Sequence, residues 1–448
     1  MTFVAVATQI TYRNIWKIAY PVILGGVVEN VVLATDTIFL GRLGEIALGA
    51  AALGGLFYFI AVFVANGVGV GVQIILSRRY GEKNFHQIGG LLAQAGLLLF
   101  LISCFLFVGL FFFSDAFFSL TIASREVLKV TTHFLQYRSF GVFFATYNAL
   151  MSAFFISIHR TKVISLSAVL TGLVNILLDY GLIFGHFGLP EMGVEGAALA
   201  SVIAEGTASL FLFVYTWSTV PGGRFNLHVT WRPQREKIRR IMTVAAPVMA
   251  QNFLSMAGWF IFFLFVEHLG PASLAVSNIV RSLYMIILIP GLGFASASAT
   301  LVSFLIGEKR QEEVLSLLKK IVLMNLPATV ALFLPAMLFS HQILHLYTPD
   351  ESLVALAKVP LFLVCSASPF LASAFILFQG VSGTGNTLVS LMIETVVLAL
   401  YLFVAWLLVF PFRFNLSQVW GVEYLYALSL LGVSLAYLLS NRWKGREV

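Results

Sequence analysis

The amino-acid sequence predicts an all-α polytopic membrane protein, with twelve transmembrane helices in two six-helix bundles related by a pseudo-two-fold axis along the membrane normal. Three observations predict it. The 448 residues are 59% hydrophobic and only 10% charged, whereas soluble domains carry about 25% charged residues. Apolar runs of spanning length recur along the whole chain. A repeat also returns at a fixed offset of 226 residues.

The composition identifies the solvent. Surface-to-volume scaling leaves too much of so apolar a chain exposed for any aqueous fold to hide it, so the lipid bilayer is the expected surrounding. Lys and Arg outnumber Asp and Glu by 27 to 20. In a soluble chain that balance would suggest nucleic acid; here it has a topological cause, and no nucleic-acid partner is expected. Cys104 and Cys365 sit inside apolar runs of different halves, with neither disulfide nor metal spacing. The N-terminus has no signal-peptide cleavage pattern, so the first apolar run is expected to remain as a span.

Apolar runs place the spans near 15–40, 47–76, 88–113, 127–156, 161–185 and 194–218, then 241–266, 273–304, 319–340, 356–381, 388–411 and 420–440. Period-2 alternation is absent, which disfavours an outer-membrane barrel. With the N-terminus inside, the inner segments collect 20 of the 27 Lys and Arg. Positive residues gather on the cytoplasmic side, so both termini are expected there, in a multi-pass protein of the cytoplasmic (inner) membrane. The stretch RPQREKIRRI reads either as a basic, partly helical hinge along the inner leaflet or as a solvated loop.

At the offset of 226, Pro21-Val22 matches Pro247-Val248, Leu43-Gly44 matches Leu269-Gly270, and Gly81-Glu82-Lys83 matches Gly307-Glu308-Lys309. Chance apolar likeness does not put prolines, glycines and a charged loop in register. The expected organisation is an N-terminal lobe (1–219) that holds a cation site, a basic cytoplasmic linker (220–240) and a C-terminal lobe (241–448). Six helices per lobe enter the membrane the same way up, an arrangement suited to alternating access.

Charges inside a bilayer are costly and are retained mainly for a task, so the acids that break the repeat are the informative ones. Asp36 has Phe262 as its repeat partner, Asp179 has Ala405, and Asn175 has Tyr401. Asn175 precedes Asp179 by four residues and Ser201 precedes Glu205 by four, so each pair shares a helix face. Glu29 lies two turns before Asp36. Against these, Glu394 is the central acid of the C-terminal half. Carboxylate, amide, hydroxyl and carbonyl oxygens suit sodium or a shared proton. Each residue also has a plain structural reading. Asp36 can reach interfacial water, Asn175 and Asp179 can cross-link helices, and Ser201 can be a packing residue. Glu29, Glu205 and Glu394 can line a cavity, while Arg138 and Arg281 can snorkel or pair with acids. The strings GVGVGV and SGTGN fit no phosphate-binding pattern and read as close helix packing and a tight turn. Pro21, Pro247 and Pro290 lie inside spans and can bend them. No catalytic constellation is visible, so no enzyme activity and no cofactor are expected.

The run PVILGGVVENVVLATDTIFLGRLGEIALGA, followed by GVQIILSRRYGEKN, resembles the first two helices of the MATE (multidrug and toxic compound extrusion) family. YRSF is similar to that family's tyrosine–arginine element, NILLDYGLIFG with GVEGAALAS to its helix 5–6 region, and FQGVSGTGNT to its helix 10–11 turn. The resemblance spans essentially the whole chain. It implies export of mostly cationic, amphipathic organic compounds against Na+ or H+. By likeness to the DinF-like and archaeal branch, it also implies a cation site of Asp36, Asn175, Asp179, the Ala197 carbonyl and the Ser201 hydroxyl, with Pro21 as the helix-bending proline. Ser201 stands where threonine is common. Ser255 falls where the NorM-like branch has a glutamate, and Gly385-Asn386-Thr387 replaces Gly-Asp-Thr, so coupling is expected in the N-terminal lobe. The alternative is a lipid or lipid-linked oligosaccharide flippase, for which only Arg138 and Arg281 offer cationic side chains. A monomer that handles small organic substrates is expected.

Overall fold

Hydrocarbon offers a backbone no hydrogen-bond partner, so a spanning segment must bond to itself, which a helix does locally. The computed structural model describes residues 11–227 and 232–445, and every regular element among them is helical. In chain order these are α1 (Tyr12–Arg42), α2 (Glu45–Gly81), α3 (His86–Phe112), α4 (Ser114–Phe118), α5 (Arg125–Ser139) and α6 (Gly141–Ser157). There follow α7 (Lys162–Phe184), α8 (Gly193–Thr219), α9 (Gly222–Phe225), α10 (Arg235–Glu267), α11 (Pro271–Gly307) and α12 (Val314–Leu338). The last five are α13 (Ser340–His345), α14 (Glu351–Gly383), α15 (Thr387–Val409), α16 (Leu416–Trp420) and α17 (Val422–Leu439). Eleven stretches are long and apolar enough to cross a membrane, and α5 with α6 supplies a twelfth as one span bent by 47°. The sequence places a single uninterrupted helix at 127–156; the bend is the structure's addition.

The repeat extends to helix ends and backbone conformation. α2 and α11 are both 37 residues long and are displaced by 226. α5–α6 and α14 share that displacement at both ends. Gly44 and Gly270, which open α2 and α11, have φ of 109° and 104°. Lys83 and Lys309, which close them, have φ of 59° and 60°. One feature departs from the symmetry: α14 runs unbroken through Pro360 and Pro369, whereas α5–α6 bends without any proline.

The chain packs as two compact units, one of residues 24–249 and the other of the chain up to Ile23 together with Ala250 onward. These cuts differ from the sequence halves 1–219 and 241–448. The start of α1 belongs with the C-terminal helices, and the start of α10 with the N-terminal ones. Each changeover comes two residues after a proline, Pro21 in α1 and Pro247 in α10. A proline removes one rung of the helical ladder, so both helices are locally weaker there. Residues Arg235–Arg240 of the basic stretch form the first turns of α10, so this part is helical and not a loop. Arg, Glu, Lys and Ile all sit comfortably in a helix, and the span continues through them.

Within the 24–249 unit, α2 touches α10 backbone to backbone. A Cβ on Gly67 would lie 2.7 Å from the Met249 nitrogen, and one on Gly71 would lie 2.7 Å from the Ala245 Cα. This close approach is the packing expected of the GVGVGV string. The core of this unit gathers Leu40, Tyr58, Leu135, Ile183 and Ala198. In the other unit α14 packs along α11, α12 and α17, around a core that includes Phe262, Tyr284, Tyr401 and Trp420. Phe105, Phe213 and Trp217 point outward, largely exposed, as side chains do when lipid is the solvent. Cys104 and Cys365 are free thiols.

The α2–α10 contact gives a stability test. Gly71→Leu forces the two backbones apart, and overpacking of this kind costs roughly 1–3 kcal/mol. The purified variant should melt several degrees below the wild type in detergent, whereas Gly55→Leu, where a Cβ meets nothing within 4 Å, should melt near it.

Candidate functional site

The polar residues singled out in the N-terminal half all fall within the 24–249 unit. α7 and α8 form a hairpin closed by Gly185 in the left-handed region and by the Met192 amide donating to the Leu182 carbonyl at 2.8 Å. The hairpin lays Asn175 and Asp179 of α7 beside Ala197 and Ser201 of α8. Asn175 Nδ2 donates to Ser201 Oγ at 3.3 Å. Asn175, Asp179 and Ala197 are buried, and Asp179 is fully so. α1 then brings the Asp36 carboxylate within hydrogen-bonding reach of the Asp179 carboxylate.

These oxygens lack donors. Asp36 Oδ1, Asn175 Oδ1 and both Asp179 oxygens are buried and receive no hydrogen bond from the described residues. A buried carboxylate without compensation costs several kcal/mol, which proteins avoid by protonating it or by pairing it with a cation. Two facing carboxylates sharpen the requirement, because one proton between them makes a hydrogen bond whereas none leaves two anions in contact. An oxygen-only set of carboxylates and an amide also matches the ligands of a hard cation. The donor set therefore fits either Na+ or H+.

A second polar cluster lies on the same unit and holds Arg138, one of the two arginines expected to snorkel or to pair with acids. Arg138 Nη1 donates to Glu205 Oε2 at 2.9 Å, and Nη2 donates to Oε1, a two-pronged ion pair. The guanidinium lies 3.9 Å from the centre of the Tyr58 ring. Asn148 Nδ2 donates to the Glu205 carbonyl at 3.0 Å, and Asn148 Oδ1 accepts from Ser209 Oγ at 2.8 Å. The pair sits directly on the backbone at Gly141, where a Cβ would be 2.2 Å from Arg138 Nη1 and 2.7 Å from Glu205 Oε2. This contact lies at the bend between α5 and α6, and a side chain at the first residue of α6 would crowd the pair. At the repeat offset, Arg138 and Glu205 correspond to Val364 and Leu431, and α14 stays continuous. Glu29 is exposed on α1, outside this hydrogen-bonded cluster.

The other unit holds its acids differently. Glu394 is buried and accepts from Ser255 Oγ at 2.9 Å and from the Tyr426 hydroxyl at 3.0 Å. The sequence points to Glu394 alone as a central acid of this half; the structure adds Glu423, buried and accepting from the Tyr284 hydroxyl at 2.9 Å and the Tyr401 hydroxyl at 3.0 Å. The repeat contains the missed signal, since Glu423 falls at the offset of Ala197. Among the described residues Arg281 pairs with no acid; its Nη2 donates to Asn278 Oδ1 at 3.2 Å and the guanidinium lies 5.3 Å from the Phe263 ring centre.

The MatE family profile matches residues 21–181 and again residues 247–407, the same displacement of 226 that the repeat shows. The chain belongs to the MatE family. Members are membrane transporters and not enzymes, and this MatE chain is an integral membrane protein. It is similar to a "Probable multidrug resistance protein NorM" of Thermotoga maritima, with 24% identity over 440 residues that cover 97% of this chain and 94% of that protein. It is similar also to the "Probable multidrug resistance protein YoeA" of Bacillus subtilis, with 22% identity covering 95% and 90%. Among solved structures, an outward-facing multidrug resistance MATE family transporter of the MOP superfamily shares the fold, with a TM-score of 0.85, 20% identity, and coverage of 96% and 95%. A MOP superfamily transporter from Pyrococcus furiosus shares it at a TM-score of 0.84 and 20% identity, with 96% of each chain covered.

The Arg138–Glu205 pair in this MatE chain is measurable as a coupling. The two side chains are 13% and 19% exposed, and removing one partner of a buried pair costs about 3 kcal/mol at the low end of the usual range. Arg138→Met and Glu205→Leu should each lower the melting temperature markedly. The double variant should melt above either single one, because no buried charge is left alone.

Proposed function

We propose that this MatE protein exports small organic compounds, mostly cationic and amphipathic, by antiport against Na+ or H+, and that Asp36, Asn175, Asp179, the Ala197 carbonyl and the Ser201 hydroxyl form the coupling site. The observation that carries the reading is the set of four buried oxygens without donors around two facing carboxylates. Such a site is stable only when a cation or proton occupies it, so its occupancy can be linked to the state of the helices that build it. Support for the substrate class comes from relatives named multidrug resistance proteins.

Antiport requires only that ion and substrate favour different conformations. Asp36 stands on α1, and Asn175, Asp179, Ala197 and Ser201 on α7 and α8. Occupying the site draws α1 toward the α7–α8 hairpin; emptying it leaves Asp36 and Asp179 to repel each other. Pro21 is placed to absorb the resulting change in α1, since the helix lacks a ladder bond there. In this reading Arg138 is not a ligand. Glu205 neutralises it and keeps a positive charge from taking the place of the coupling ion. The same pairing weakens the lipid-flippase alternative, because Arg138 is engaged and Arg281 is bonded to its own helix. We place the protein in the cytoplasmic membrane with both termini inside, on the distribution of Lys and Arg, and take a single chain as the working unit, since one chain holds every proposed ligand.

Efflux of a fluorescent organic cation from proteoliposomes, with sodium and pH gradients imposed separately, tests the proposal. One gradient should drive transport by the wild type, and Asp36→Asn and Asp179→Asn should each reduce that response at least tenfold. Transport indifferent to both gradients, or an Asp36→Asn variant that couples like the wild type, removes the site from the mechanism.

A further inference from the structure

Between α12 and α14 the chain makes the short helix α13, which carries His341 and His345 one turn apart. Two histidines at i and i+4 on one helix face are a recurrent metal-binding arrangement. Asp350 caps α14, accepting from the Ser352 amide at 2.8 Å and from its hydroxyl at 2.7 Å. The cap sets Glu351 at the first position of α14, facing both rings. His345 Nε2 lies 3.0 Å from Glu351 Oε1, and His341 Nε2 lies 3.4 Å from Oε2. The two ring centres are 4.5 Å apart, and one donor atom from each of the three residues lies within 4.8 Å of the others. This segment is remote in the chain from every residue of the proposed coupling site.

We infer that His341, His345 and Glu351 form a binding site for a divalent transition-metal ion of the Zn2+ class, on the face that the charge distribution assigns to the exterior. Zinc takes neutral imidazole nitrogens and carboxylate oxygens at roughly 2.0–2.2 Å, so a tetrahedral site holds its donor atoms about 3.4 Å apart. The histidine–glutamate separations of 3.0 and 3.4 Å are close to that spacing, each to a different carboxylate oxygen, so ligation asks only for a small turn of the side chains around one ion. A neutral imidazole N–H can bond to the carboxylate without a metal, as at His345; that leaves unexplained the second ring, placed 4.5 Å from the first and turned toward the other oxygen of the same carboxylate. A metal uses the neutral rings and cancels the carboxylate charge at once. Two nitrogen donors in three favour zinc, nickel or copper over the oxygen-seeking Ca2+ and Mg2+. All three side chains reach solvent, so the ion has an open path and water can complete its coordination. Once bound, it ties α13 to the start of α14.

The test uses the purified full-length protein in detergent, with any polyhistidine tag removed, titrated with ZnCl2 by calorimetry. One saturable Zn2+ per chain is expected, weakened at least tenfold in His341→Gln and in His345→Gln. The zinc-dependent rise in melting temperature should disappear in both variants while their melting without zinc stays near that of the wild type. X-ray absorption on the zinc-loaded wild type needs no variant and should show two imidazole ligands and no sulfur. Absence of stoichiometric binding, affinity unchanged in both variants, or sulfur ligation from Cys104 or Cys365 would overturn the assignment.

Discussion

Everything in this protein depends on the absence of water around its spans. A backbone amide or carbonyl in hydrocarbon has nothing to bond except its own chain, and the helices follow from that alone. With backbone bonding settled inside each helix, association is left to packing and to side-chain hydrogen bonds. Glycines then become contact points, as at Gly67 and Gly71 against α10. The same constraint makes any buried oxygen without a donor conspicuous, because the surrounding lipid cannot repair the deficit.

Against that background the two halves share an architecture and differ in content. Where the first holds Asp36, Asn175, Asp179, Ala197 and Ser201, the second has Phe262, Tyr401, Ala405, Glu423 and Ala427 at the repeat offset. The second half's acids are matched to donors: Glu423 to two tyrosine hydroxyls and Glu394 to a tyrosine and a serine. Hydroxyl donors satisfy a buried carboxyl group permanently and leave it little need of a further ligand. Asp36 and Asp179 have no such partners, and that difference, more than the count of acids, sets the first half apart.

The bend between α5 and α6 belongs to the same asymmetry. Prolines are the usual cause of kinks, yet here the helix with two prolines is unbroken and the one without them turns. The guanidinium–carboxylate pair rests on Gly141, at the bend. Its counterparts Val364 and Leu431 need no such space. A charged pair inside a membrane protein must be enclosed to be tolerated, and here it is enclosed where the span bends.

Much of this was legible in the residues themselves. Spanning length, the repeat and the acids that interrupt it are one-dimensional properties: a run of apolar residues and a fixed offset need no fold to be seen. Asn175 and Asp179 could be placed on one face because helical spacing is fixed. The division of α1 and α10 between packing units, the pairing of Arg138 with Glu205, the bend at Gly141, the hydroxyls around Glu423 and the meeting of His341, His345 and Glu351 were decided only by the tertiary structure. Each depends on which faces of distant helices come together. Hydropathy records that a helix lies in lipid, not which neighbour it turns toward; that choice is made by side-chain packing and polar satisfaction in three dimensions.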